Sequence, residues 1–150
     1  AAAAAAPHNE ATAEAPSVAP APSARRSAAS AASWFARANE ARRDRRYEDA
    51  ADAYRTLLAR YPGSREAEVA QLLLGRVLLV NLADARGALE RFDAYLAHQP
   101  GGTLAPEART GRARALESLG RSEEARAAWQ EILDRHPASP HAALARRRVR

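Results

Sequence analysis

The chain has 150 residues, a formal net charge of +5, and no Cys, Met or Lys, so all 23 of its basic side chains are Arg. Without Cys there is no disulfide framework, thiolate metal site or Cys nucleophile, and the redox compartment stays open. No run approaches the roughly 18 apolar residues of a membrane span; the most apolar stretch, Ala70 to Ala85, is interrupted by Gln71, Gly75, Arg76, Asn81 and Asp84. The all-Arg usage reads first as a high-GC coding bias. Acids are interleaved with it, as in Glu40, Arg42, Arg43, Asp44 and in Arg121, Glu123, Glu124, Arg126, so most of the charge forms a mixed, solvated face. Only Arg146, Arg147, Arg148 and Arg150 make a one-sign cluster.

Residues 1–26 are Ala, Pro and Ser with a few polar groups, and Val18 is their one large apolar residue. Such a segment cannot offset the entropy of ordering by burial and is read as a disordered linker or tail, punctuated by Pro7, Pro16, Pro20 and Pro22. The chain starts without Met and is read as a piece of a longer protein whose signal or anchor lies elsewhere.

From Ser27 onward apolar residues recur at helical spacing. The first helix is expected from about Ala28 to Arg43, burying Ala31, Trp34, Phe35, Ala38 and Ala41. The second spans about Tyr47 to Tyr61 with an inner stripe of Ala50, Ala53 or Tyr54, Leu57 and Leu58, and Pro62-Gly63-Ser64 ends it, Ser64 capping the next helix. The third, about Arg65 to Leu82, is apolar over most of its circumference and is expected to be the best buried. The fourth, about Ala85 to His98, buries Ala88, Leu89, Phe92, Tyr95 and Leu96, and Pro100-Gly101-Gly102 closes it. The fifth, about Ala105 to Leu119, stops at Gly120. The sixth, about Glu123 to His136, is capped by Ser122 and carries Glu123 and Glu124 at the positive end of its dipole. Ser139-Pro140 opens a seventh helix over 139–150, which covers the end of the array with Ala142, Ala143, Leu144 and Val149.

Three sets of residues share one spacing: Ala50, Tyr54, Leu58, Pro62; Ala88, Phe92, Leu96, Pro100; Ala125, Trp129, Leu133, Pro137. A period near 38 residues marks a repeat array in which each unit buries its apolar face by stacking on a neighbour. The pattern resembles the tetratricopeptide repeat family. Trp34, Ala38, Tyr47, Ala50, Tyr54, Leu57 and Pro62 carry the likeness in the first unit, Leu74, Gly75, Leu78, Ala88, Phe92 and Pro100 in the second, and Ala113, Leu116, Gly120, Ala125, Trp129, Ile132 and Pro137 in the third. One extra residue near Leu82 to Arg86 lengthens the turn of the second unit. The resemblance implies an all-α, right-handed solenoid of three helical hairpins plus a C-terminal capping helix, with repeats at about 31–64, 68–102 and 106–137 and a domain over 27–150.

The resemblance further implies a concave groove lined by the first helix of each pair. Carried over unit by unit, the candidates are Phe35, Asn39, Arg42 and Arg43; Val69, Leu72, Arg76 and Leu79; and Glu107, Thr110, Arg114 and Glu117, with Asn39, Arg76 and Arg114 at equivalent places. Amide and guanidinium groups over an apolar floor suit a partner's backbone and carboxylates. The carboxylate clamp of chaperone-binding members needs several Lys and a second Asn, whereas this chain has no Lys and has Leu73 at that place. The period and the P-G-G link are similar to repeats of bacterial envelope proteins, such as the periplasmic coordinator of the Tol-Pal system and outer-membrane assembly lipoproteins, and to those of FecR-like regulators. The expectation is a non-enzymatic scaffold binding a protein or peptide, acidic in character, on the extracytoplasmic side of an envelope. Alternatives are an electrostatic binder of nucleic acid or anionic polymer through the terminal arginines, or a self-associating module. No cofactor motif, metal-ligand spacing or nucleophile constellation is present, and His98, His136 and His141 read as caps or surface groups.

Overall fold

Proline sets where three helices stop. Tyr61, Gln99 and His136 each precede a Pro, which disfavours helical backbone in the preceding residue. All three leave the helix in the same conformation, with φ/ψ of −135°/52°, −131°/58° and −136°/51°. A computed structural model describes residues 22–150, with side chains from Ser30. Within them run α1 (Pro22–Arg43), α2 (Tyr47–Arg60), α3 (Arg65–Val80), α4 (Ala85–His98), α5 (Ala105–Ser118), α6 (Ser122–Arg135) and α7 (Ala142–Arg148). Most of the expected tail lies outside the described residues; α1 begins at Pro22, six residues ahead of the expected start.

Consecutive helices pack on one another, and α3 also touches α1 and α5, so the first helices of the three pairs form one layer. This is an all-α solenoid of three hairpins closed by α7, which packs on α6. The expected stripes make the core: Ala31, Ala38, Ala50, Tyr54, Leu57, Leu74, Val77, Ala88, Phe92, Ala113, Leu116, Ala125, Trp129 and Ile132 are all buried. Trp34 and Phe35 are only half-buried. The Trp34 face instead meets the guanidinium carbons of Arg37 and Arg60 at 5.3 and 5.8 Å.

Turns within the hairpins share a left-handed residue: Arg45 (φ 62°), Ala83 (φ 54°) and Gly120 (φ 71°). In the first and third turns the following amide reaches back five residues, Arg46 N to Ala41 O and Arg121 N to Leu116 O, both near 3 Å. In the second it reaches back six, Asp84 N to Leu78 O at 2.8 Å. That is the extra residue, accommodated at Asn81–Leu82 with the left-handed position preserved.

Capping differs from expectation in two places. Ser64 accepts from Ala67 N at 3.1 Å as expected. Ser122 is not a cap: it is the first helical residue of α6, and Arg121 holds the cap position with its guanidinium on Glu124 at 2.6 and 2.7 Å. Nor does Ser139 start α7, whose cap position is His141. Ser139 instead belongs to a turn, its amide donating to His136 O at 3.0 Å. Asp84, an unforeseen cap, accepts from Gly87 N at 2.8 Å.

The tightest crossing surrounds Phe92. A Cβ on Gly75 of α3 would sit 2.8 Å from its ring, and one on Gly111 of α5 would sit 2.3 Å from it. The ring is fully buried between the two glycines and cannot retreat from one without meeting the other. Alanine in place of helical glycine ordinarily stabilises by about 1 kcal/mol. Here overpacking wins: Gly111→Ala is expected to lower stability by about 1–3 kcal/mol in urea denaturation, and combining it with Phe92→Leu is expected to recover part of the loss.

Candidate functional site

The first helices of the pairs bring part of the expected groove together. Phe35 and Tyr54 meet edge to face, with centroids 6.2 Å apart and planes at 61°. The Tyr54 hydroxyl needs a partner once buried, and it donates to Asn39 Oδ1 at 2.8 Å, while Asn39 Nδ2 donates to Phe35 O at 3.0 Å. Asn39 is therefore committed to holding the aromatic of its own pair. Burial pushes the Tyr54 hydroxyl above its usual range, and Arg42 beside it acts in the opposite direction.

Two floor candidates are not at the surface. Leu72 is 4% exposed and belongs to the core, and Thr110 is 5% exposed with its hydroxyl donating to Pro106 O at 2.9 Å. The helical stripe turns these positions inward because α5 and α3 pack there on neighbouring pairs. Glu117 is occupied as well, accepting from Trp129 Nε1 at 2.9 Å and facing Arg148 at 3.4 Å. Glu107 lies 3.7 Å from His141. Val69 and Leu79 are half-buried.

Arg42, Arg43, Arg76 and Arg114 remain, and none of them forms an ion pair among the described residues. Arg42 of α1 and Arg76 of α3 share a cleft of about 260 Å³ with Tyr47, Leu73, Val77, Val80 and Asn81. Arg42 is half-buried and its Nε is enclosed without an acceptor. Val80, 69% exposed, is the large apolar residue left most open among the described residues. Arg43 and Arg114 are exposed and line no part of this cleft. The arrangement provides two cationic forks beside an aliphatic ledge, a chemistry suited to a carboxylate with a small apolar side chain next to it.

A second polar cluster, unanticipated, lies between the second and third units. Arg109 is 4% exposed. Its Nε donates to Glu131 Oε1 at 3.0 Å, its Nη2 to Pro100 O at 2.9 Å and its Nη1 to His136 Nε2 at 3.0 Å. Because guanidinium only donates, His136 Nε2 must be the unprotonated nitrogen. Burial chiefly, then Arg109 and Arg135, holds the His136 pKa below its usual value. Glu131 also meets Arg135 at 3.1 Å and Arg112 at 3.7 Å, and Arg112 donates to Asp93 at 2.7 Å. A usable signal existed: Ala105, Arg109, Ala113 and Leu116 share one helical stripe, which puts the arginine on an inward face. Among the terminal arginines, Arg146 donates to Pro137 O at 3.3 Å and Arg148 faces Glu117, so two of the four help hold α7 in place.

The tetratricopeptide repeat family model matches residues 32–64 and 107–139, the first and third units. The unmatched stretch between them contains the unit with the inserted residue. The chain carries tetratricopeptide repeats. A solved structure of the Arabidopsis OM64 TPR domain superposes with a TM-score of 0.69 at 18% identity, covering 83% of this chain and 97% of that one. No curated protein matches the sequence. Tetratricopeptide repeat domains generally mediate protein–protein interaction, and proteins of the family are typically non-enzymatic scaffolds. Among the described residues no three His, Asp or Glu side chains are grouped to hold a metal ion, and no helix is long and apolar enough to cross a membrane.

Removing the buried guanidinium leaves the Pro100 carbonyl and His136 Nε2 without their donor, while Glu131 keeps Arg135 and Arg112. Arg109→Ala is expected to cost about 1–3 kcal/mol, and Arg109→Lys to restore little of it, because one ammonium cannot span three separate acceptors. A histidine whose folded pKa lies below its unfolded value near 6.5 favours the folded state fully above that value and progressively less as pH falls through it. Chemical denaturation between pH 7.5 and 5 should therefore show a loss of stability that His136→Gln, which offers Arg109 an amide oxygen that does not titrate, makes shallower.

Proposed function

We propose that this tetratricopeptide repeat protein is a scaffold that binds an acidic or C-terminal segment of a partner protein in its concave groove, at the cleft between α1 and α3. The observation that carries this reading is the pair of guanidinium groups, Arg42 and Arg76, which share one cleft with exposed Val80 and have no carboxylate partner of their own among the described residues. An unpaired, partly enclosed guanidinium is a poor surface group but a good receptor for a carboxylate, since a bidentate, charge-assisted pair forms on binding. Exposed Val80 and half-buried Leu73 lie beside it and suit a residue such as Val or Leu next to the carboxylate.

The setting we propose is extracytoplasmic. It is supported by the likeness of the 37–38-residue period and of the Pro-Gly-Gly link to repeats of bacterial envelope proteins, with the Ala/Pro-rich N-terminal residues acting as a spacer.

A test uses short peptides ending in Glu-Val with a free carboxylate, titrated into the full chain by calorimetry or fluorescence anisotropy. Binding is expected to weaken at least tenfold when the peptide is C-terminally amidated and its Glu replaced by Gln. The Arg42→Gln, Arg76→Gln double variant is expected to weaken it by a similar factor, with unchanged helical circular dichroism. Equal affinity of the wild type and the double variant would remove this cleft from the function.

A further inference from the structure

The two junctions between repeat units are built from equivalent positions and differ in what fills them. At the later junction the Arg109 guanidinium occupies the space beneath the Pro link, bound to Pro100 O, Glu131 and His136. Counted back by the repeat spacing of 38 or 37 residues, the earlier junction has Gln71 for Arg109, Pro62 for Pro100, Ala94 for Glu131 and Gln99 for His136. The backbone correspondence is close, since Gln99 and His136 share one conformation. With a short neutral side chain in place of arginine, a cavity of about 350 Å³ opens there.

Its lining is what a guanidinium requires. Gln71 Oε1 is enclosed and accepts no hydrogen bond among the described residues. A buried amide oxygen left unpaired destabilises the fold, and a donor entering the cavity relieves that penalty. Glu68 supplies the carboxylate that Ala94 lacks, oriented by a hydrogen bond from Gln99 Nε2 at 3.1 Å. Leu58, Ala67 and Tyr95 give apolar walls along which a methylene stem can lie. None of the chain's arginines lines this cavity, and the His98 ring at its edge is engaged with Ala94 O at 2.8 Å. None of the groove residues lines it either, so the site is separate from the cleft at Arg42 and Arg76.

We infer that this cavity binds an arginine side chain of a partner protein, its guanidinium taking the place that Arg109 occupies one unit later. Arginine is favoured over lysine because the cavity offers two acceptors, the Glu68 carboxylate and the Gln71 amide oxygen, one helical turn apart on α3. A planar fork with five donors serves them together, while a single, strongly hydrated ammonium does not.

The test uses the ¹⁵N-labelled full chain titrated with the blocked peptide acetyl-Gly-Arg-Gly-amide and with its citrulline counterpart, which keeps the shape and loses the charge. The arginine peptide is expected to give saturable shifts in the side-chain amides of Gln71 and Gln99 and in the backbone amides of Ala67 and Ala94. Citrulline is expected to bind about tenfold more weakly or worse. Gln71→Arg, which puts the chain's own guanidinium into the cavity, is expected to abolish the shifts at Gln99, Ala67 and Ala94. Glu68→Gln, at an exposed position that folding tolerates, is expected to weaken binding about tenfold. Absence of saturable shifts, equal binding of citrulline, shifts centred instead on exposed acids such as Glu123 and Glu124, or indifference to Glu68→Gln would each overturn the proposal.

Discussion

The approach of α3 and α5 around the Phe92 ring is the constraint on which the array depends. A repeat solenoid has no central core; each unit is held only by its neighbours. The middle unit must therefore be tight within itself and against its successor, and Gly75 of its own first helix and Gly111 of the next unit provide this by leaving their Cβ positions to a single buried ring. The outer units solve the same problem differently. Tyr54 and Trp129 occupy the corresponding places and send their polar groups to Asn39 and Glu117 of their own first helices. The layer of first helices, and with it the spacing between Arg42 and Arg76, follows from this packing.

A chain restricted to arginine for its positive charge uses it in several physically distinct ways. Pairs such as Arg55 with Asp52, half or more exposed, stand in water and contribute about 0.2–1 kcal/mol at most. Arg37 and Arg60 lie against the Trp34 ring and cover an aromatic face that the end of the array leaves half open. Arg109 is buried and replaces hydrophobic packing with a three-way polar bridge to Glu131, Pro100 O and His136. Arg42 and Arg76 have no acidic partner among the described residues. Composition alone treats these as one class; only the position of each on its helix separates them.

What was legible in the sequence was whatever a local rule governs. Proline at the end of alternate helices, glycine at the left-handed Gly120 and the inner stripes of small and aromatic residues placed the hairpins to within a few residues. The second turn was readable as longer because Gly75 to Ala88 exceeds its counterparts by one. The mistakes came where tertiary context decides. Ser122 looks like a cap, but Arg121 with Glu124 takes that place; Ser139-Pro140 looks like a helix start, but the chain turns once more before α7. Thr110 and Leu72 follow the groove pattern yet rotate into the core. The Asn39 amide was read as available, although a buried Tyr54 hydroxyl one helix away had to be satisfied by something. Arg109 escaped notice because an arginine in a mixed-charge helix reads as solvated unless its stripe is checked against the buried alanines around it.

The unequal sealing of the two junctions has a kinetic side. In a linear array, opening proceeds from whichever end has the weaker coupling, and the units beyond it stay folded while it opens. Arg109 and Arg112 of the third unit reach back to Pro100 O and Asp93 of the second, whereas the first two units enclose an unfilled cavity at their junction. The first hairpin is thus the one that detaches at lowest free-energy cost, and anything that fills the cavity beside Gln71 acts as a latch on it. Amide protection in α1 and α2 then reports occupancy of that junction, while α5 and α6 exchange only with the unfolding of the remaining body.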